Sequence, residues 1–356
     1  EEAEDQPEFE SVLAACSTVL PHKMLKWHYR SRHENLIAFS NSRFYENRLV
    51  TFPSATDGNG DLGVKWEHVA DGVYDRGRSR TNPREAIRIV ELVVDHWRRR
   101  PEESLGVVTL SQAQMERVDD LLDERLREEP DLEGFYRQEG DDAFFIKNLE
   151  NVQGDERDHI ILGIGYGKDG RGVLTSSFGP LNRVGGERRL NVAITRAKRR
   201  LTAVASFRHS ELAVSATSPA GVRQLQKFLE FAERGADALE TSNVGTGDAE
   251  SPLEEAIAAF LVEKGYAIEL QVGCSGFRVD IGVRDPAQPG RFILGVGSGW
   301  NIPAMEALGY PFTGRTRRFE EQLGILADAW SGRPSAFDGE QVRIPSDIVL
   351  HPIPAN

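Results

Sequence analysis

The chain reads as an α/β protein built on a parallel sheet, followed by a second, smaller α/β module, and three observations predict this. Short Val- and Leu-rich runs recur at 104–110, 158–166 and 201–207. Each neighbours a longer stretch whose apolar residues fall at helical spacing, and strands that alternate with helices belong to a doubly wound parallel sheet. A polar stretch without apolar period, near 236–250, then separates the first alternation from another one.

In chain order, LIAFSNSRFY (36–45) and REAIRIVELVVDHWRRR (84–100) are predicted helices, the second ending in a basic turn that suits a helix C-terminus. SLGVVTL (104–110) is a strand feeding the helix QAQMERVDDLLDERLREE (112–129). DHIILGIGY (158–166) is the next strand, and a helix over 187–200 precedes the strand LTAVASF (201–207). The helix GVRQLQKFLEFAERG (221–235) closes a first module of residues 1–235, and 236–250 is the linker. The second module, 251–356, opens with the helix SPLEEAIAAFLVEKG and continues with strand-like YAIELQVG, FRVDIGVRD and GRFILGVG.

A length of 356 residues suits two domains. Hydrophobic residues make up 39% and charged residues 28%, and no apolar run approaches the ~20 residues a bilayer demands, which argues against a membrane protein. The start, EEAEDQPEFE, lacks the basic and apolar regions of a signal peptide, and the expected location is the cytoplasm. Cys16 and Cys274 are too few for a disulfide framework or a zinc site. A net charge of −13 opposes wholesale coating of nucleic acid, yet ERRLNVAITRAKRRL gathers Arg188, Arg189, Arg196, Lys198, Arg199 and Arg200 in one stretch. A solvated helix face and a ligand contact both fit that stretch.

FFIKNLENVQGDERDHIILGIGYG (144–167) couples apolar strands to a loop bearing Gln153, Gly154, Asp155, Glu156, Arg157 and Asp158. Bare, this is an acidic turn. VQGDERD nevertheless resembles motif V of superfamily 1 helicases, and LNVAITRAK (190–198) resembles their motif VI. WHYRSRHENLIAFSNSRFYENRL (27–49) is similar to motif IV of the branch that includes the RNA-surveillance helicases, closely so at Tyr29 and Arg30. LGVVTLSQAQ (105–114) resembles the strand and Gln-bearing turn of the same branch. These likenesses span about residues 10–210 and imply the second RecA-like domain of a P-loop NTPase motor, most similar to bacterial helicases that carry a nuclease-like C-terminal domain.

A phosphoryl group in transfer spreads negative charge that a planar, permanently charged guanidinium can stabilise. The resemblance therefore implies that Arg30 and Arg196 act as arginine fingers on the γ-phosphate across a cleft between two RecA-like domains. Glu156 would accept from the ribose or organise the phosphate-side network. Tyr29 would lie near the adenine, with core packing as its plain alternative, and Gln153 and Gly154 would border the nucleotide. Asn148, Asn151, Gln153, Thr195 and Lys198 are candidate nucleic-acid contacts, although capping and turn bonding are the commoner fate of such polar residues. The implied cofactors are ATP and Mg2+, and the implied partner is DNA or RNA in single-stranded form.

No GxxxxGK[ST] phosphate loop occurs: the one Gly-Lys pair, Gly167 and Lys168, is followed by Asp169. No apolar strand ends in the Asp-Glu pair that holds magnesium, and DLLDERL (120–126) has helical period instead. The expectation is a fragment, or one product of a split gene, that depends on a first RecA-like domain in cis or on a separate chain and shows no ATPase or unwinding by itself.

SPLEEAIAAFLVEKGYAIELQVGCSGFRVDIGVRDPAQPGRFILGV (251–296) resembles the very-short-patch-repair-like, restriction-endonuclease-fold domains at the ends of such helicases. In that fold a helix Glu, a strand Asp and a further acid gather magnesium. Glu254, or its neighbour Glu255, and Asp280 take the first two places as metal ligands, with Gln271 on the intervening strand. The third place, where the family has Glu-Cys-Asp-Gly, reads Gly297, Ser298, Gly299 and Trp300. Beyond Val296 the likeness ends, through degeneration or a frameshifted tail.

Three functions follow. The first is a helicase motor half fused to a nuclease-like domain. The second is a non-motor nucleic-acid-binding or targeting module with an inactive nuclease-like domain. The third is a nuclease completed by Glu306 or Asp285.

Overall fold

A computed structural model describes residues 30–51 and 62–239 without a break, a few residues before Arg30, Ser54, and in the second half 252–263, 265–273, 279–285, 292–296 and isolated residues between 313 and 344. The chain forms two compact units, one of residues 1–32, 36–51 and 66–230 and one of residues 33–35, 52–65 and 231–356.

The first unit is the expected α/β layer. Helix α1 (Asn35–Phe44) precedes strand β1 (Gly63–His68). Helix α2 (Pro83–Arg99) starts where Asn82 accepts from the Glu85 amide and Pro83 presets the first helical φ. Its apolar face, including Ala86, Ile89, Val93 and Trp97, is buried, and Trp97 stacks on Phe135 at 5.8 Å and meets the Phe144 edge at 5.0 Å. Strand β2 (Leu105–Thr109) is buried throughout, and Ser111 then caps helix α3 (Gln112–Glu128) by accepting from the Gln114 amide. Strands β3 (Phe145–Asn148) and β4 (Arg157–Gly163) follow, then helix α4 (Gly186–Ile194), strand β5 (Ala197–Ala205) and helix α5 (Ala220–Arg234).

The sheet order is β1-β5-β4-β2-β3, with β2–β3, β2–β4 and β4–β5 all parallel. Ile89 and Val93 of α2, Val118 and Leu122 of α3, and Val107, Ile161 and Val204 of the sheet share one core. Gly106 is required where β2 passes β3, because a Cβ there would meet the Phe145 ring at 2.4 Å. Phe39 of α1 meets Phe228 of α5 edge to face at 5.4 Å.

One boundary departs from expectation. The helix predicted over 187–200 stops at Ile194, and Ala197–Arg200 begin β5. The Thr195 hydroxyl donates to the carbonyls of Asn191 and Val192, which ends the helix, while Ala197 and Arg200 pair with Arg157 and His159 of β4. The basic stretch is therefore split: Arg188 and Arg189 lie on α4, with Arg188 exposed, whereas Lys198, Arg199 and Arg200 belong to the strand. Arg200 is buried on β5 and bonds Glu103 at 2.8 Å, and Glu103 also meets Arg199 at 3.3 Å. Beside this pair, His159 Nδ1 lies 3.1 Å from His96 Nδ1, His159 Nε2 lies 2.9 Å from Thr202 Oγ1, and His96 Nε2 lies 2.9 Å from the Glu103 carbonyl.

In the second unit, helix α6 (Pro252–Glu263) lies against strands β6 (Ile268–Val272) and β7 (Val279–Arg284), which pair antiparallel with each other and, through β7, with β8 (Phe292–Val296). Two-residue strands β9 (Phe337–Asp338) and β10 (Arg343–Ile344) also pair antiparallel. The buried Glu321 carboxylate accepts the amides of Glu340, Gln341 and Val342, each at 2.9 Å. Most of the expected linker, 240–250, lies outside the described residues, whereas Gly235–Ala238 forms a helical turn.

Candidate nucleotide-facing site

Three separated segments meet where β4 and β5 begin. Arg30 comes from the segment before α1, Glu156 is the last residue before β4, and Thr195 to Lys198 span the joint from α4 into β5. The parallel β4–β5 pairing places Arg157 beside Ala197, and the Arg32 amide donates to the Lys198 carbonyl at 2.7 Å. Backbone pairing thus gathers the three segments before any side chain is considered.

Arg30 Nε donates to Glu156 Oε2 at 2.5 Å, and its Nη1 donates to the Thr195 carbonyl at 3.3 Å. Lys198 Nζ approaches the other Glu156 oxygen at 3.6 Å and Asp142 at 3.7 Å. Arg196 is fastened back on α4: its Nε donates to the Val192 carbonyl at 2.8 Å and its Nη2 to Thr195 Oγ1 at 3.3 Å. Burial would push the Glu156 carboxyl up, but Arg30 and then Lys198 outweigh it and hold it below the ordinary glutamate range. Burial, and next the neighbouring Arg30, depress the Arg196 guanidinium. Two guanidiniums near enough to repel each other, with Glu156 as the counter-charge, form a place where an added anion is favoured. Glu156, held by two cations, is poorly disposed to ligate magnesium.

Arg30, Glu156 and Arg196 thus lie together where β4 and β5 begin. Thr195 and Lys198, the expected nucleic-acid contacts, lie in the same cluster, because the helix ends at Ile194 and the strand carries Lys198 beside Glu156. Tyr29 lies outside the described residues. Gln153 and Gly154 occupy an exposed turn, where Gly154 adopts a φ of +97° that favours glycine. Asn148 ends β3, with its side chain donating to Gln112 Oε1 at 2.6 Å and accepting the amides of Glu150 and Asn151 at 3.0 and 3.2 Å. Asn151 is exposed beside it.

In the second unit, Glu254 lies in the first turn of α6. Gln271 of β6 and Asp280 of β7 are both buried, and Gln271 has a φ of +53° and side-chain atoms without hydrogen-bond partners. Among the described residues no group of three or more His, Cys, Asp or Glu side chains is arranged to hold a metal ion. Positions 297–300 and Glu306 lie outside the described residues.

Sequence reasoning missed a buried carboxyl at the other end of β4. Glu85 accepts the Gly165 amide at 2.6 Å and the Asn82 side-chain amide at 3.1 Å, and Asn82 also donates to Ser206 Oγ at 2.8 Å. Burial pushes the Glu85 carboxyl up to about 8, against the hydrogen bonds from Gly165 and Ser206. An acid at the third position of a helix reads as a solvated capping residue, so only its partner Gly165 betrays it. Nearby, Tyr74, Arg76, Pro83, Arg84, Asp169 and Arg171 line a cavity of 810 Å³ that no sequence motif announced.

Residues 6–208 match the profile of a family described as the AAA domain. Residues 285–356 match that of the luciferase-like monooxygenases, a likeness that overlaps the segment read above as nuclease-like. Two curated relatives, described as an uncharacterized ATP-dependent helicase of Mycoplasma genitalium and its homolog in Mycoplasma pneumoniae, are each 35% identical over 218 residues, or 59% of this chain. The chain spans 18% of the length of either. A solved structure of the C-terminal domain of a possible DNA helicase from Lactobacillus plantarum WCFS1 aligns with a TM-score of 0.28 at 14% identity, covering 50% of this chain and 86% of that one, too slight a likeness to bear on the fold.

Proposed function

The chain belongs to the AAA domain family, and from that membership we propose that residues 1–235 are the second RecA-like half of an ATP-dependent superfamily 1 helicase motor. The observation that supports this reading is the convergence of Arg30, Glu156 and Arg196 from three segments onto one spot where β4 and β5 begin. In this reading the two guanidiniums meet the γ-phosphate of an ATP whose other contacts, the phosphate loop and the magnesium ligands, come from a first RecA-like domain in cis or on another chain. Glu156 keeps Arg30 aimed and exchanges its hold as the phosphate arrives, since a carboxylate below its ordinary range stays charged and remains a mobile partner. Bound ATP supplies the phosphoryl group for hydrolysis, and the arginines stabilise the charge that spreads over it. Asn148 and Asn151 contact a single strand of DNA or RNA.

The test joins this chain to the first RecA-like domain and measures nucleic-acid-stimulated ATP turnover. Arg196→Ala should lower turnover by roughly 10³-fold while leaving thermal unfolding unchanged, because a finger acts on the transition state. Unchanged turnover removes the finger role. The chain alone should hydrolyse no ATP, and stimulated hydrolysis by the purified chain would overturn the dependence on a partner domain.

For the second unit we propose a non-cleaving accessory segment. The specific observation is that the buried Gln271 side chain on β6 has no hydrogen-bond partner, while no metal-holding group of three side chains occurs among the described residues. A family match over 285–356 also needs no frameshifted tail to explain it. Magnesium-dependent cleavage of single-stranded DNA that is lost in Asp280→Ala would reverse this reading.

A further inference from the structure

The loop that leads into α4 carries a charge and exposure pattern that the phosphate-side cluster does not use. Across Asn182–Leu190 there are three arginines, Arg183, Arg188 and Arg189, against one acid, Glu187, in a chain whose net charge is −13. Between them stands Val184, 88% exposed. An aliphatic side chain held in water among cations gains by meeting another apolar surface.

This loop is held in place rather than loose. Leu181 is fully buried, and Gly186 packs on its backbone so closely that a Cβ would meet the Leu181 carbonyl oxygen at 2.5 Å. Gly221 of α5 presses on the same oxygen, where a Cβ would lie at 2.4 Å. Gly185 adopts a φ of +76°, which turns the chain so that Val184 projects, and Arg189 Nη1 ties the turn by donating to the Val184 carbonyl at 3.1 Å. Arg183 reaches Glu150 at 3.4 Å with its side chain 70% exposed, a pair of the kind that contributes little in water and exchanges readily. Glu150 sits in the turn organised by Asn148, next to Asn151. The arginine loop and the asparagine turn are therefore neighbours on one surface.

We infer that Arg183, Arg188 and Arg189, with Val184 among them, form a second contact surface for single-stranded nucleic acid, continuing from Asn148 and Asn151. The inference rests on the nucleic-acid reading proposed above. The arginines take backbone phosphates, and Val184 takes the apolar face of a sugar or base, the division of labour that sequence-tolerant single-strand binding requires. Fixed cations displace counterions from a strand, so the surface has a signature that a merely structural loop lacks: the salt dependence of affinity.

The test uses the full chain and a fluorescent 20-nucleotide oligothymidine, with anisotropy titrations between 50 and 200 mM NaCl. The triple variant Arg183→Ala/Arg188→Ala/Arg189→Ala should bind at least tenfold more weakly and lose about 2 from the slope of log affinity against log salt, at about 0.7 per phosphate contact. Because Arg189 ties the turn, Arg183→Gln/Arg188→Gln serves as the second variant and should lose about 1.4 from the slope. Val184→Ser should weaken binding several-fold with the slope unchanged. Unchanged affinity and slope in both arginine variants, with the wild-type chain binding, overturn this surface and leave the broader reading standing. A wild-type chain that ignores the oligonucleotide removes the nucleic-acid reading with it. Arginine-dependent binding to phosphatidylserine vesicles alone would assign the patch to a membrane instead.

Discussion

Strand β4 is flanked by two glutamates in opposite surroundings, Glu156 just before its first residue and Glu85 on the amide of Gly165 just past its last. Burial acts to raise both carboxyls. At Glu156 a guanidinium and an ammonium reverse it, and the group stays charged, half open and bound to partners it can exchange. At Glu85 only neutral amides and a hydroxyl are at hand, so the carboxyl titrates near 8 and behaves at neutral pH as a polar staple. The chemistry of an acid is set here by what arrives from other segments, and one strand serves a charged end and a neutral end.

The strongest way to break this comparison is Glu85→Ala, which strips the Gly165 amide and the Asn82 side chain of an acceptor in a fully buried place. We expect a loss of about 3 kcal/mol in urea unfolding at pH 6. A loss below about 0.5 kcal/mol would mean that the network is no staple. The pH profile sharpens the point. A carboxyl whose folded value is raised contributes stability that is complete below its unfolded value and lost as pH rises toward 8. The Tm of the wild-type chain should therefore fall between pH 5 and 8, and Glu85→Gln should start lower but lie flatter; parallel curves would contradict the assignment.

His96, which packs on His159 beside the start of β4, should show the opposite sign. Burial holds His96 below the ordinary imidazole value, so its contribution is complete above about 6.5 and is lost as the pH falls. His96→Gln should flatten the acid limb between pH 7 and 5. An unchanged acid limb would show that His96 is not what titrates. The smallest effect is expected at Glu156. Its partly exposed pair with Arg30 should add less than about 1 kcal/mol, so Glu156→Gln should leave thermal unfolding nearly unchanged while lowering turnover of the reassembled motor. A large fall in stability would make Glu156 a structural residue like Glu85.

Much of this was legible in the residues. The helical period of 84–100 and the Val and Leu runs of β2 and β4 placed the elements within one to three residues, because the helix has one dominant buried face and the strands are buried along nearly their whole length. The joint at Thr195 was not legible, since VAITRAKRRL suits a helix as well as a strand and only pairing with β4 decides where one becomes the other. The motif-bearing residues Arg30, Glu156 and Arg196 could be picked out, but the contact of Lys198 with Glu156 could not, because it follows from strand register. Glu85 and the cavity at Tyr74 and Arg171 left no local mark, as both arise from loops that meet only in three dimensions.

The short joint between α4 and β5 has a mechanical consequence. Arg196 occupies it with its side chain moored to Val192 in the helix and its carbonyl accepting the Arg157 amide from the adjoining strand. Any shift of that guanidinium away from α4 has to give up its bond to the Val192 carbonyl. The joint therefore separates the two holds on this residue: the side chain can leave Val192 without breaking the backbone bond that ties Arg196 to β4.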